Sequence, residues 1–264
     1  MRYLIYILVC GSLVMFTGCE ELIDVDLNAG DPKIVIVADL NNAGGMHEIM
    51  VTRTVNFDED RSYDPIEDAS VFLRSGGGQF YVFEQQEGGR YTNSRVPLEV
   101  GESYSLDVIV GEERYAAQTV MEQYVDIDSI GMTKENIFNE SYYFVNLKFQ
   151  DPQDQPNYYR YTVSLNGAPY VFSSVFSDKF NDGKQVTHQI GAPDDTELKP
   201  GDEMKIRRAT IAKDVYRYWS EYQATNPGSA APGNPTSNIS NGALGYFSVS
   251  NAREYTVTVE DNLE

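Results

Sequence analysis

Lys33-Ile-Val-Ile-Val-Ala-Asp39 and His47-Glu-Ile-Met-Val-Thr-Arg-Thr54, joined through the turn Asn41-Asn-Ala-Gly-Gly45, set the pattern for the whole chain. Their apolar residues alternate with polar ones or gather in short runs bounded by Gly, Asn, Asp and Pro. That period of two belongs to strands, since successive side chains of an extended backbone point to opposite faces. The pattern returns at residues 69–74, 79–84, 89–92, 104–110 and 114–119.

Short strands at this spacing predict an immunoglobulin-like or transthyretin-like β-sandwich over residues 33–122. Leu98-Glu-Val-Gly-Glu-Ser-Tyr-Ser-Leu106, with Gly101 placed ahead of Tyr104, resembles the hairpin edge of carboxypeptidase-regulatory-like and other transthyretin-type domains. Residues 120–130 read as a boundary. Strand signals resume at 142–149, 158–165, 170–172, 203–211, 243–249 and 254–259, so residues 123–264 are expected to form a second β-rich domain. One stretch departs from the pattern. Ala212-Lys-Asp-Val-Tyr-Arg-Tyr-Trp-Ser-Glu-Tyr-Gln-Ala224 sets Val215, Trp219 and Tyr222 on one face of a helix, with Tyr218 at its edge and Asn226-Pro227-Gly228 as its stop. Trp219 is the single tryptophan. It reads as a plug on a sheet face, or alternatively as a stacking platform for a ligand. The loop 225–242 is longer than ordinary connections and rich in Pro, Gly, Asn and Ser.

The amino-terminus carries a different message. Arg2 precedes the apolar runs Leu4-Ile-Tyr-Ile-Leu-Val-Cys10 and Leu13-Val-Met-Phe16, and Thr17-Gly18-Cys19 closes them. A basic start, a short apolar stretch and a small residue before the cut make a secretory signal over residues 1–18; the stretch is too short to be a comfortable membrane span. A small residue followed by Cys resembles the lipobox of bacterial lipoproteins, which implies lipidation of Cys19. Residues 19–32 then form an acidic tether, reaching about 45 Å at roughly 3.3 Å per residue. Acidic residues directly after a lipidated Cys resemble the signal that exports Bacteroidetes lipoproteins to the cell exterior.

With Cys10 in the signal and Cys19 lipidated, no thiol is left for disulfides, zinc sites or a nucleophile. The net charge of −20 argues against nucleic acid as a partner and against an electrostatic grip on anionic lipid. Gly76-Gly-Gly78 lacks the helix and Lys of a phosphate loop. Ser240 is not a nucleophile elbow. His47 and His188, the only histidines, lack metal-ligand spacing, and His47 reads as an exposed or hydrogen-bonded residue. Two groups offer hard oxygen ligands: Asp58, Glu59 and Asp60 with Asp64, and Asp151 and Asp154 with Asn157. Neither matches the Asp-x-Asp-x-Asp-Gly calcium loop, so both read as solvated turns. Asp128-Ser129-Ile130 resembles the Bacteroidetes O-glycosylation acceptor, with Ser129 as the modified residue.

Cys19-Glu20-Glu21, Pro32-Lys-Ile-Val-Ile36, Val51-Thr-Arg-Thr-Val-Asn-Phe57, Asp151-Pro152 with Asn157-Tyr-Tyr-Arg160, and Asn238-Ile-Ser-Asn-Gly-Ala-Leu-Gly-Tyr-Phe247 are together similar to a Bacteroidetes outer-membrane lipoprotein family of unknown function. The resemblance implies companionship with a TonB-dependent transporter and carries over no catalytic residue. The expectation is a non-enzymatic lipoprotein without cofactor or metal, lipid-anchored on the outer membrane and facing the exterior. It would serve as an accessory or ligand-binding partner in nutrient uptake. Rival readings are an adhesin-like envelope scaffold and a surface-polymer hydrolase. Contact with a partner or ligand is expected at Tyr218, Trp219, Tyr222, Asn238, Tyr246 and Phe247, since aromatic side chains give large, rigid contacts.

Overall fold

The computed structural model describes residues 31–56, 59–137, 140–193, 196–225 and 233–260. The expected signal, Cys19, most of the tether, Asp58 and part of the 225–242 loop lie outside the described residues. The body that starts at Pro32 is mainly β.

Its strands are β1 (Ile34–Asn41), β2 (His47–Arg53), β3 (Asp64–Pro65), β4 (Ser70–Ser75), β5 (Phe80–Gln86), β6 (Arg90–Asn93), β7 (Ser103–Val110), β8 (Glu113–Val120), β9 (Ser129–Ile137), β10 (Glu140–Gln150), β11 (Tyr158–Leu165), β12 (Val171–Ser177), β13 (Gln185–Ile190), β14 (Glu203–Thr210) and β15 (Leu244–Thr258). One helix, α1 (Lys213–Thr225), lies between β14 and β15 among the described residues. The larger sheet runs β12-β11-β14-β15-β1-β2-β6-β5-β4-β7-β8, with β3 on β2. The smaller sheet runs β13-β10-β9.

β1 shows why the large sheet is continuous. Ile34, Ile36, Ala38 and Leu40 point into a core shared with β2, β4 and β7, whereas Val37 on the opposite face packs with the residues around α1. A strand hydrogen-bonded along both edges lies inside a sheet. Its two neighbours are β2, antiparallel, and β15, parallel.

β15 was expected as two strands and is a single one. Its first part, Leu244–Ser250, runs along β1; its second part, Asn251–Thr258, runs antiparallel along β14. Where β15 changes neighbours, its buried N–H and C=O groups need other partners. Two asparagines supply them. Asn238 accepts from Phe247 N at 2.9 Å through Oδ1 and donates to Phe247 O at 2.8 Å through Nδ2, as a neighbouring strand would. Asn42, one residue past β1, accepts from Ala252 N at 2.7 Å and donates to Asn251 Oδ1 at 3.0 Å. Gly245 permits the close parallel approach: at φ +87° it faces Ile36, and a Cβ there would stand 2.0 Å from the Ile36 carbonyl oxygen.

The outer strands of the large sheet also have partners. Ser240 N donates to Ala116 O and Ser240 Oγ accepts from Ala116 N on β8, while Gln223 of α1 accepts from Val175 N on β12. An edge matched in this way offers less template for pairing with another chain. At the other turn of this half, the Tyr104 hydroxyl donates to Pro97 O at 3.1 Å and accepts from Glu99 N at 2.8 Å.

Residues of the 34–121 stretch, joined by Ile239, Ala243, Phe247 and Val249, form one core. A second lies between β10, β11, β13 and β14. At its centre is a fully buried arginine. Arg208 lies 4.3 Å from the Tyr159 ring centre and 4.4 Å from that of Phe149, so aromatic faces surround the cation where a carboxylate would be expected. Its Nη1 donates to Val125 O and its Nε to the Tyr161 hydroxyl at 3.0 Å. That hydroxyl lies 2.8 Å from His188 Nδ1. With Tyr161 accepting from Arg208, its own proton is available to Nδ1, an arrangement that suits a neutral His188. Burial, with the Arg208 charge adding to it, pushes His188 down to about 3.

The neutral His188 has a pH signature. The unfolded chain takes up the proton near pH 6.5 and the folded chain resists until about 3, so stability falls as pH drops through that window. Between pH 7 and pH 4 this amounts to on the order of 3 kcal/mol. His188→Gln is expected to shrink the urea-midpoint difference between those pH values, with His47, also lowered by burial, left in place as a common background; equal differences in both proteins would refute the assignment. At Gly245, alanine is expected to lose about 3 kcal/mol or more by urea unfolding. Gly242→Ala, at φ +71° with open space around it, should lose only about 1–2 kcal/mol through backbone strain.

Candidate binding site beside the helix

α1 begins one turn after β14, with Asp214 in its first turn facing the positive end of the helix dipole. Val215 is its buried anchor. At the other end Thr225 Oγ1 donates to Glu221 O at 2.8 Å. The Glu221 carboxylate accepts from Thr236 N at 2.5 Å and Thr236 Oγ1 at 3.2 Å, which ties the described end of the long loop back to the helix.

The structure gathers four of the sequence-predicted contact residues here. Trp219 stacks on Phe172 of β12 with ring centres 4.4 Å apart and planes at 17°. Tyr218, Tyr222 and Tyr246 meet Trp219 edge-on at 5.6, 5.2 and 5.3 Å. Tyr218, Trp219 and Tyr222 are half-buried, and Tyr246 is buried. Trp219 therefore packs as a plug, its ring engaged by the protein's own side chains. Asn238 and Phe247 serve the sheet instead. Asn238 bonds the backbone of β15, and Phe247 is fully buried in the first core, with no area left for a partner.

Sequence reasoning missed the charge beneath this cluster. Arg160 of β11 is buried, donates to Asp39 Oδ2 of β1 at 2.5 Å and to the Tyr246 hydroxyl at 3.3 Å, and lies 5.5 Å from the Trp219 ring centre. Burial works to discharge the guanidinium, yet Asp39 and then Tyr246 outweigh it, and its pKa stands above the ordinary arginine range. Burial, with the Asp39 charge, raises the Tyr246 phenol. Both positions lay in stretches that read as strand, and only their pairing across 121 residues of sequence makes the ion pair.

Two grooves are open on the surface, one of them beside the helix. One, of about 970 Å³, lies along the other side of α1, where Tyr158 and Tyr216 stack with ring centres 4.9 Å apart and Lys179, Lys213, Arg217 and Glu221 form the rim. The other, of about 700 Å³, lies on β5 and β6, where Met46, Phe80 and Val82 are 67%, 53% and 52% exposed beside Arg90 and Arg95.

The remaining candidates fall as follows. Ser129 is exposed at the start of β9, on an outer strand of the small sheet. His47 is buried with Nε2 3.2 Å from Val96 O. Glu59 and Asp64 both bond Arg61, which pairs these two carboxylates with a cation. Asp151 has moved into different company: among the described residues its carboxylate meets Asp178 and Asp182, while Asp154 donates its backbone N to Asp182.

A family model described as a domain of unknown function, DUF4249, matches residues 20–256, and the chain belongs to that family. No curated protein matches it.

The plug and the platform readings of Trp219 separate by stability. Trp219→Ala is expected to lower unfolding stability by about 2–3 kcal/mol, less than a fully buried tryptophan would. Trp219→Phe should recover most of the loss by keeping the stack on Phe172. An unchanged urea midpoint in the alanine variant would favour the platform.

Proposed function

We propose that this member of the DUF4249 family is a non-enzymatic bacterial lipoprotein of the Bacteroidetes type. Acyl chains on Cys19 moor it to the outer membrane, facing the cell exterior, and it works as an accessory or ligand-binding partner of a TonB-dependent transporter in nutrient uptake. The observation that carries the reading is the leader ending Thr17-Gly18-Cys19 with an acidic tether directly behind it. With a net charge of −20 the chain has little electrostatic attraction for lipid, so acyl chains supply the attachment, each buried methylene giving about 0.8 kcal/mol.

The transporter contact is placed on the β5–β6 groove. Exposed Met46, Phe80 and Val82 beside Arg90 and Arg95 have the composition of an interface, in which Met, aromatic residues and Arg are enriched. Within this reading the amino-terminal strands form an immunoglobulin-like or transthyretin-like sandwich. The Tyr104 hydroxyl bonded back to Pro97 and Glu99 supports it, because such tyrosine corners recur in those folds. Ser129, exposed after Asp128, is the proposed O-glycan acceptor. A structural, spacer-like role is favoured instead by the internal packing of Trp219 against Phe172 and its tyrosine neighbours.

Affinity purification from detergent-solubilised outer membranes is expected to recover a TonB-dependent transporter with the wild-type protein. Phe80→Glu with Val82→Glu should reduce that recovery at least about tenfold, as removal of an interface anchor does. Cys19→Ala should shift the protein to the soluble fraction. Repeated recovery of the lipoprotein alone would favour the spacer role.

A further inference from the structure

Asp151 follows β10 directly, and Asp178 and Asp182 lie in the turn between β12 and β13. The sequence separates them by up to thirty-one positions, yet one carboxylate oxygen from each lies within 4.8 Å of the others. Asp151 is 1% exposed and Asp178 is also buried. Carboxylates so close in a low-dielectric setting repel, and no lysine or arginine is ion-paired with any of the three among the described residues. The nearby lysines are engaged otherwise: Lys184 Nζ donates to Phe180 O, and Lys179 lies over the Phe180 ring.

Two further oxygens mark the cluster as unfinished. Asp151 Oδ1 accepts from the Tyr159 hydroxyl at 2.7 Å, but Oδ2 is buried without a partner. Asn157, 9% exposed, donates its backbone N to Asp178 Oδ2 at 2.6 Å, and its amide Oδ1 is likewise buried without a partner. Buried oxygens left unbonded are uncommon, because each forfeits the hydrogen bonds it had in water. Burial first, and then the charges of Asp178 and Asp182, raise the Asp151 pKa against the Tyr159 bond and the Gly183 backbone.

We propose that Asp151, Asp178 and Asp182, together with the Asn157 amide oxygen, bind a calcium ion. Calcium takes oxygen ligands at roughly 2.3–2.6 Å, so ligands on opposite sides of it stand about 4.6–5.2 Å apart. The 4.8 Å bound on the three oxygens suits that sphere. Zinc would call for nitrogen or sulfur ligands, which are missing from the cluster. The loops are already shaped around this point. Asp154, at φ +60°, donates its N to Asp182 at 2.9 Å, and Gly183 O accepts from Gln150 Nε2 at 2.9 Å. The ion would join the β10–β11 loop to the β12–β13 turn, and so the small sheet to the large one. Asp178 also lines the groove along α1, which ties ion binding to the shape of that rim.

The test uses the full-length protein in detergent, stripped with EDTA and titrated with calcium chloride in a calorimeter. Binding with Kd of roughly 10⁻⁴–10⁻³ M and a rise in Tm at millimolar calcium are expected, as for other extracellular sites. Terbium should give tyrosine-sensitised emission that calcium displaces, because Tyr159 bonds a ligand carboxylate. Asp182→Asn, at an exposed position, should weaken calcium at least about tenfold while its Tm in EDTA stays at the wild-type value. Asp151→Asn should abolish calcium heat yet hold or raise the Tm in EDTA, since it relieves the buried repulsion; a merely structural Asp151 would instead lower it. Absence of calcium heat at millimolar metal, an equal response to magnesium, or unchanged affinity in Asp182→Asn would each overturn the proposal.

Discussion

The whole architecture depends on keeping the backbone of residues 244–258 hydrogen-bonded through a change of neighbours. A strand that leaves β1 for β14 in the protein interior would strand buried N–H and C=O groups, each unsatisfied group costing about 1–3 kcal/mol. Asn238 and Asn42 meet that demand from opposite sides, as side-chain amides carry the same donor and acceptor as a peptide. Gly245 meets the steric half of the same problem. The Asn238–Phe247 stretch is therefore explained by the requirements of β15, with Ser240 extending the same logic to the open side of β8.

Charge inside the protein is handled through geometry. Arg208 lies among aromatic faces and hydroxyl and carbonyl dipoles, and its field helps hold His188 neutral. Arg160 receives a carboxylate partner, Asp39, from a distant strand, and the Trp219 cluster roofs the pair. In the acid trio dipoles answer only part of the charge, and among the described residues no cation is ion-paired with it.

The sequence disclosed what local periodicity encodes. β1 alternates as its composition suggests, and α1 lies within one residue of its expected range because Val215, Trp219 and Tyr222 share a helical face. It concealed what depends on partners. β13 escaped notice since Gln185-Val-Thr-His-Gln-Ile190 buries a histidine among its inward residues, and β9 because Gly131, Lys134, Glu135 and Asn136 dilute its pattern. Ser250-Asn-Ala-Arg253 looked like a gap between strands because a chain changing neighbours loses its alternation there. For the same reason Asp151 was grouped with Asp154 by proximity in sequence, when the fold pairs it with Asp178 and Asp182.

The parallel contact between β1 and β15 sets a timetable for the chain. Synthesis proceeds from the amino-terminus, so the segment that flanks β1 is made long after β1 itself. Ile36 and Leu40 can be fully enclosed only after more than two hundred further residues have been made. Until β15 arrives, β1 can be hydrogen-bonded along β2 alone. β1 and β15 can pair only once both segments have been made, so this one ladder couples the two ends of the described body.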